Sequence, residues 1–220
     1  MTSESVISAL VLSPDRLHAL LAQLLSSFEA DLAALVGEFD GASFAAELVV
    51  ARDSIAGFAA AARAEAPADN PEAVVALVDG LRVPTRGRDR FERLLTTHSN
   101  LGFAEDGVRQ QLEWLIELGR VDETWQQKFE ALLGWDDAQT ALVAALKQAF
   151  EEDTTVDDRL AMWGRRNAGD AAVWGRQLCG IEPGTRADDV IEGAEEVTVA
   201  FLAKFLAQHS RRMNALALAA

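Results

Sequence analysis

The segment DDRLAMWGRRNAGDAAVWGRQLC, residues 157–179, carries the strongest pattern in the chain. Trp-Gly-Arg occurs twice within it, beginning at Trp163 and again at Trp174. Eleven residues of α-helix make about three turns plus 20°, so this spacing stacks the two indoles on one face. The segment therefore predicts one long helix with an aromatic stripe along one side.

Polar side chains interrupt this aromatic stripe. On the same helical wheel Asp170 falls within about 20° of Trp163, and Asn167 falls within about 40°. A buried carboxylate without a partner is costly, so Asp170 needs a hydrogen bond, a metal or a ligand. Arg166, one turn earlier, is the alternative partner. We therefore expect Asp170 to face the interior between the two tryptophans, in a pocket lined by Trp163, Arg166, Asn167, Asp170 and Trp174.

The composition predicts a single all-α domain. The chain has 220 residues, of which half are hydrophobic, with only five Pro and no Tyr. This length is sufficient to bury a sizeable core. Abundant Ala and short β-branched runs favour helix over sheet. We predict one helical-bundle domain over residues 1–220.

Net charge and cysteine content exclude several functional classes. A net charge of −15 argues against nucleic acid and anionic membranes as partners, because both bind clustered cations. The chain shows no signal-peptide pattern and no run of eighteen uninterrupted apolar residues, so we expect a cytoplasmic protein without a membrane span. Cys179 is the only cysteine, which rules out an intrachain disulfide and a cysteine-based zinc site.

Apolar periodicity predicts long helices at both ends of the chain and shorter ones between them. The long helices are expected at residues 14–39, 43–66, 155–179 and 186–218. The first begins with a Ser cap and Pro at its first position, at Ser13-Pro14. Apolar groups at 91–95 and 108–116 are expected to form separate helices, each ending near a glycine. Two long helices at each end suit a four-helix bundle.

Few residues are candidates for catalysis or metal binding. The chain has no glycine-rich phosphate loop and no nucleophile elbow, and it contains three His. The weak metal candidates are Glu47, Asp170 and His209. Glu47 flanks the apolar face of the second helix, either as a ligand or as a carboxylate paired with Arg. His209 lies at the edge of the last apolar stripe, either as a ligand or as a core histidine satisfied by a hydrogen bond.

Two motifs in the last third of the chain carry a family resemblance. Residues 159–166, RLAMWGRR, are followed by Gly169-Asp170, and they resemble R-L-x-x-W-x-R-R-x-x-G-E of bacterial ferritin-like fold proteins related to tRNA hydroxylases. Residues 209–218, HSRRMNALAL, resemble their H-x-R-R-M-x-A-L-G-L ending. The resemblance implies a ferritin-like helical bundle with additional short helices, a fold that often holds two irons between Glu and Glu-x-x-His residues.

The chain departs from that family pattern at the metal ligands. It contains no Glu-x-x-His. Asp170 stands where the family has Glu, and Ala138 stands where the family's helical His is placed. We therefore expect a member that has kept the bundle and lost the iron, with no cofactor.

Three functional hypotheses follow. The first is a non-catalytic ferritin-like bundle with a degenerate metal site, acting in binding or assembly. We expect it to be a homodimer that holds an unidentified small molecule beside Trp163 and Trp174. The alternative is a metal-dependent, iron-using oxidoreductase or hydroxylase that uses Glu47, Asp170 and His209. A third hypothesis is an acidic protein that binds a basic partner through residues 151–153 and 157–158.

Overall fold

The computed structural model describes residues 3–66, 72–186 and 190–218. Within these ranges the chain forms nine α-helices and no strand, which confirms the predicted all-α class. The helices are α1 (Ser3–Leu10), α2 (Pro14–Glu38), α3 (Ala45–Glu65), α4 (Glu72–Arg82), α5 (Arg90–Glu117), α6 (Glu123–Glu130), α7 (Asp136–Glu152), α8 (Val156–Leu178) and α9 (Ala194–Ala215).

Helices α2, α3, α7 and α5 form a closed four-helix bundle. Each packs against the next in that order, and α5 returns to α2. Helices α8 and α9 pack against each other and against α5, while α4 bridges α2 and α8. Every residue from 94 to 104 of α5 is buried, so this helix is enclosed on all sides by the two layers it joins.

The sequence predicted most of the long helices, but the four helices that it assigned to the bundle are not the four that form it. The helices predicted at 14–39, 43–66 and 155–179 appear as α2, α3 and α8, and Ser13 caps α2 by accepting from Arg16 N–H. The last helix begins at Ala194, not at residue 186, because Gly193 adopts a left-handed φ of 86° directly before it. Residues 187–189 of that predicted helix lie outside the described ranges. α5 and α7 take the places expected for α8 and α9.

Two glycines lie inside α5 and admit close neighbours, and one of them, Gly102, is the glycine near which the apolar group at 91–95 is expected to end. At Gly102 an added Cβ would overlap the guanidinium of Arg212 from α9. At Gly107 it would stand 2.9 Å from Cη2 of Trp174 in α8. The two expected helices at 91–95 and 108–116 are therefore one helix, whose glycines allow α8 and α9 to approach it.

Helix α2 is long and apolar enough to cross a membrane by length and composition alone. Of its most apolar window, 56 % is buried inside the bundle. It packs against α3, α4 and α5. A central core helix has the same character, so its hydrophobicity is accounted for by this packing.

Replacement of Gly102 by Ala is expected to destabilise the protein by about 1–3 kcal/mol. The new Cβ displaces Arg212, whose Nη2 donates to Asp106 Oδ2 at 2.7 Å in a pair that is about one-fifth exposed. Gly57→Ala is the matched control: it is a helical glycine on α3 with nothing within 4 Å of an added Cβ, and its replacement should stabilise by about 0.5–1 kcal/mol. Urea unfolding of both variants measures whether the free energy of unfolding falls for Gly102→Ala and rises for Gly57→Ala. Equal changes in the two variants would contradict a role of Gly102 in helix packing.

Candidate functional site

Asp170 lies at the edge of the buried face of α8, with its side chain 32 % exposed and its Oδ2 buried without a hydrogen-bond partner among the described residues. That oxygen lies 3.6 Å from Arg166 Nε in an ion pair along α8. The buried face of α8 is centred on Leu160, Ala171 and Leu178, which on an ideal wheel is about 80° from Asp170. The expected pairing with Arg166 is present, but at the edge of the stripe.

The polar residue inside the stripe is Asn167. Its side chain and that of Trp163 both donate hydrogen bonds to the hydroxyl of Thr96. Thr96 Oγ1 of α5 accepts from Trp163 Nε1 at 2.9 Å and from Asn167 Nδ2 at 3.2 Å. The same hydroxyl donates to the backbone carbonyl of Thr85 at 2.9 Å. One buried threonine therefore ties α8 to α5 and to the loop that precedes α5.

The network extends along α5 to Asn100. Asn100 Nδ2 donates to Thr85 Oγ1 at 2.8 Å, and that hydroxyl donates to Leu81 O at 2.7 Å. Asn100 is 4 % exposed, and its Oδ1 has no hydrogen-bond partner within the described part of the protein. A buried carbonyl oxygen normally accepts a hydrogen bond, so Asn100 has unused acceptor capacity.

Thr96 and Asn100 form part of the wall of a cleft of about 490 Å³. The cleft lies between the second half of α2, the α4–α5 connection and the first half of α5. Its polar lining consists of Asp31, Glu38, Arg82, Arg86, Arg93, Thr96, Thr97 and Asn100.

Two of the three arginines in the cleft are held by carboxylates. Arg82 contacts Asp31 through two nitrogens, at 2.5 and 3.1 Å, and Arg93 Nη2 donates to Glu38 Oε2 at 2.6 Å. Arg86 is exposed, and no carboxylate of the described residues pairs with it. The cleft therefore presents one unpaired guanidinium at its entrance.

The five residues predicted to line one pocket have different surroundings in the structure. Trp163 and Asn167 support the cleft wall through Thr96, whereas Arg166 lies over the Trp163 ring at 5.1 Å on the outer face. Trp174 is fully buried, and its Nε1 donates to Leu77 O at 2.8 Å. None of the five predicted residues lines the cleft itself.

A second buried polar cluster was missed by the sequence analysis. His98 of α5 is 1 % exposed, and neither ring nitrogen has a hydrogen-bond partner among the described groups. Burial, with nearby Arg212 and His209 adding to it, lowers the pKa of His98 to about 3. The signal was available, because residues 96–100 read TTHSN between two apolar runs, which marks polar groups enclosed on a buried helix.

The weak metal candidates lie on three helices with different partners. Glu47 accepts from Gln148 Nε2 at 2.9 Å instead of pairing with Arg. His209 Nε2 lies 3.2 Å from Gly164 O, and because a carbonyl only accepts, this nitrogen carries the proton. His209 also stacks on Phe103, and burial lowers its pKa to about 4. Of the two alternatives for His209, a metal ligand or a core histidine satisfied by a hydrogen bond, the structure favours the core histidine.

The donor set within the described ranges does not fit a di-iron centre. No group of three His, Cys, Asp or Glu among these residues is arranged to hold a metal ion. The buried residues of α3 and α7, two of the four bundle helices, are all apolar, and Ala138 is among them. A ferritin-type site needs carboxylates and His projecting inward from the bundle helices.

A family model described as a ferritin-like domain of actinomycetes matches residues 42–191. The chain belongs to this ferritin-like family. The match spans α3 to α8 of this ferritin-like domain, so it includes Thr96, Asn100 and Arg86. No curated protein matches the sequence. The fold implied by the resemblance in the last third is confirmed, while its relation to tRNA hydroxylases stays a prediction.

Replacement of Thr96 by Val is expected to destabilise this ferritin-like domain by about 2–4 kcal/mol, because it leaves three buried polar groups without their shared partner. Thr97→Val is the neighbouring control. Thr97 Oγ1 only donates to Arg93 O within α5, so its replacement should change stability by less than about 1 kcal/mol. Chemical unfolding of both variants measures this difference. Equal losses would show that the Thr96 network contributes little.

Proposed function

We propose that the protein is a non-catalytic ferritin-like bundle that binds a small anionic molecule in the cleft between α2 and α5. The observation that carries this proposal is that two residues with unused hydrogen-bonding groups line the same cleft. Asn100 has a buried acceptor without a partner, and Arg86 has an unpaired guanidinium. Both line one cavity of about 490 Å³. Cavities of this size are typical of small-molecule sites.

The charge of the cleft favours an anion. Three arginines and two carboxylates line it, which gives a local charge of +1 in a chain of net charge −15. Asp31 and Glu38 hold two of the arginines in fixed positions, so Arg86 is the one available for a ligand. A guanidinium binds phosphate or carboxylate through parallel hydrogen bonds that are stronger than those between neutral groups.

The inner part of the cleft adds a second requirement. Asn100 Oδ1 only accepts, so a ligand that satisfies it must donate a hydrogen bond. Thr97 lines the same region, and its hydroxyl proton is already given to Arg93 O, which leaves an acceptor. A small phosphate or carboxylate that also carries a hydroxyl group meets both requirements.

The lining chemistry supports binding over catalysis. Among the described residues that line the cleft there is no His and no Cys. Its two carboxylates are each engaged by an arginine. A general base or nucleophile needs a titratable group free to take a proton or attack a substrate.

Isothermal titration with sulfate and with glycerol 3-phosphate tests the proposal. Glycerol 3-phosphate is expected to bind more tightly, because sulfate carries no hydrogen-bond donor at neutral pH and therefore leaves Asn100 Oδ1 unsatisfied. Arg86→Ala should weaken both probes by about ten-fold or more, equivalent to about 1.4 kcal/mol. Arg88→Ala is the matched control, since Arg88 belongs to the same arginine-rich segment but does not line the cleft. Absence of binding, or equal loss in both variants, would contradict the proposal.

The alternative function is a metal-dependent oxidoreductase or hydroxylase related to the tRNA hydroxylases. Membership of a ferritin-like family and the two motifs in the last third favour it. The separation of Glu47, Asp170 and His209 onto three helices, with no group of three His, Cys, Asp or Glu among the described residues arranged to hold a metal ion, speaks against it. The oxidoreductase is therefore the second candidate function.

Metal analysis separates the two functions. Protein purified from cells grown with added iron and manganese, and measured by plasma emission spectrometry, is expected to contain far less than one metal ion per chain. Dialysis of the purified protein against a weak chelator removes adventitious ions before the measurement. Two metal ions per chain that persist after dialysis would make the oxidoreductase the better hypothesis, and anomalous diffraction would then show whether they lie about 3.5–4 Å apart, as in two-metal sites.

A further inference from the structure

The outer face of α8 carries a row of mostly exposed side chains, of which only Arg176 has an ion-pair partner, Glu195, among the described residues of its own chain. Met162 is 72 % exposed, more than any other large hydrophobic residue of the described ranges, and Val173 is 45 % exposed. They lie on one side of the helix, on the face opposite its packing against α5. We call this row the α8 seam; it consists of Asp158, Met162, Arg165, Gly169, Val173 and Arg176.

The seam has the spacing of a helix-pairing surface. Its members follow one another at intervals of three and four residues, the spacing that keeps side chains on one side of a helix facing a partner helix. Seam residues are exposed except Arg176, which is partly exposed. Two of these residues, Met162 and Val173, are apolar and exposed, and they are available for contact with a partner helix.

The order of charges along the seam makes it complementary to an antiparallel copy of itself. A two-fold axis near residue 167 places Asp158 opposite the partner's Arg176. It also places Met162 opposite the partner's Ala172 and Val173. Because the axis repeats each contact, the pairing contains two opposite-charge contacts and two apolar ones. This charge complementarity identifies the occupant of the seam as a second copy of the chain.

Gly169 supports the same arrangement. An added Cβ at this position would meet nothing within 4 Å in its own chain, and a helical glycine costs stability relative to alanine. The fold of one chain therefore gives no reason for glycine here. In the antiparallel pair Gly169 lies opposite the partner's Arg165, where the missing side chain allows the two helices to approach closely and gives the long arginine room.

We propose that the protein forms a two-fold symmetric dimer through the α8 seam, with α8 of one protomer antiparallel to α8 of its partner. Such an interface is isologous, so the assembly closes at two copies. It lies on a different helix from the cleft residues, so this inference is independent of the proposed ligand binding.

Sedimentation equilibrium of the full chain, from micromolar to millimolar concentration, tests the dimer. The unaltered protein is expected to dimerise within this range. Met162→Glu should weaken association by at least about ten-fold, because it places a charge in the apolar part of the interface. Val50→Glu is the matched control, as Val50 is 54 % exposed on α3, and it should leave association unchanged. A protein that stays monomeric throughout, or equal effects of the two variants, would overturn the proposal.

Charge reversal tests the antiparallel register. Asp158→Arg and Arg176→Asp should each weaken the dimer, because each places like charges opposite one another. The combined D158R/R176D variant restores both contacts and should recover most of the association. Arg176 also contacts Glu195 within its own chain at 2.9 Å, so Glu195→Gln is measured to isolate that effect. Failure of the combined variant to recover would exclude this register.

Discussion

The structure depends on the complete burial of residues 94–104 of α5. A helix that is enclosed on all sides has to satisfy its polar side chains within the protein, because water does not reach them. Residues 96–100 of this helix are all polar. Thr96 meets this constraint with three hydrogen bonds to two other elements. The ring nitrogens of His98 and the hydroxyl of Ser99 have no such partner among the described groups. This requirement fixes how α8 and the α4–α5 connection sit against the helix.

Different sides of α5 satisfy the constraint in different ways. Toward α8 and the preceding loop, Thr96 and Asn100 form a network of short hydrogen bonds that ends at the cleft. Toward α9, the contact is closer and depends on Gly102, over which Arg212 reaches Asp106. Burial raises the pKa of Asp106, and the opposing charge of Arg212 lowers it. The ion pair thus offsets part of the cost of enclosing this carboxylate.

The ferritin-like fold persists here with an interior suited to packing. On α3 and α7 every buried residue is Ala, Leu or Ile, so these helices meet their neighbours through apolar side chains. Replacement of buried charged groups by packed apolar ones is often neutral or stabilising. Apolar packing on these two helices therefore suffices to hold the bundle, while most of the buried polar residues lie on α5, which also lines the cleft.

The sequence by itself determined the all-α class and the approximate spans of α2, α3 and α8, because apolar periodicity and caps are local properties of the chain. Periodicity also fixes the angles between residues on one helix, which is why Trp163, Asn167 and Trp174 share a buried face. It does not give the direction of the neighbouring helices. Only the tertiary structure decided that the buried face of α8 is centred away from Asp170, and that Gly102 lies beneath Arg212 in a continuous α5. These outcomes depend on which helices pack together, and no single segment encodes that choice.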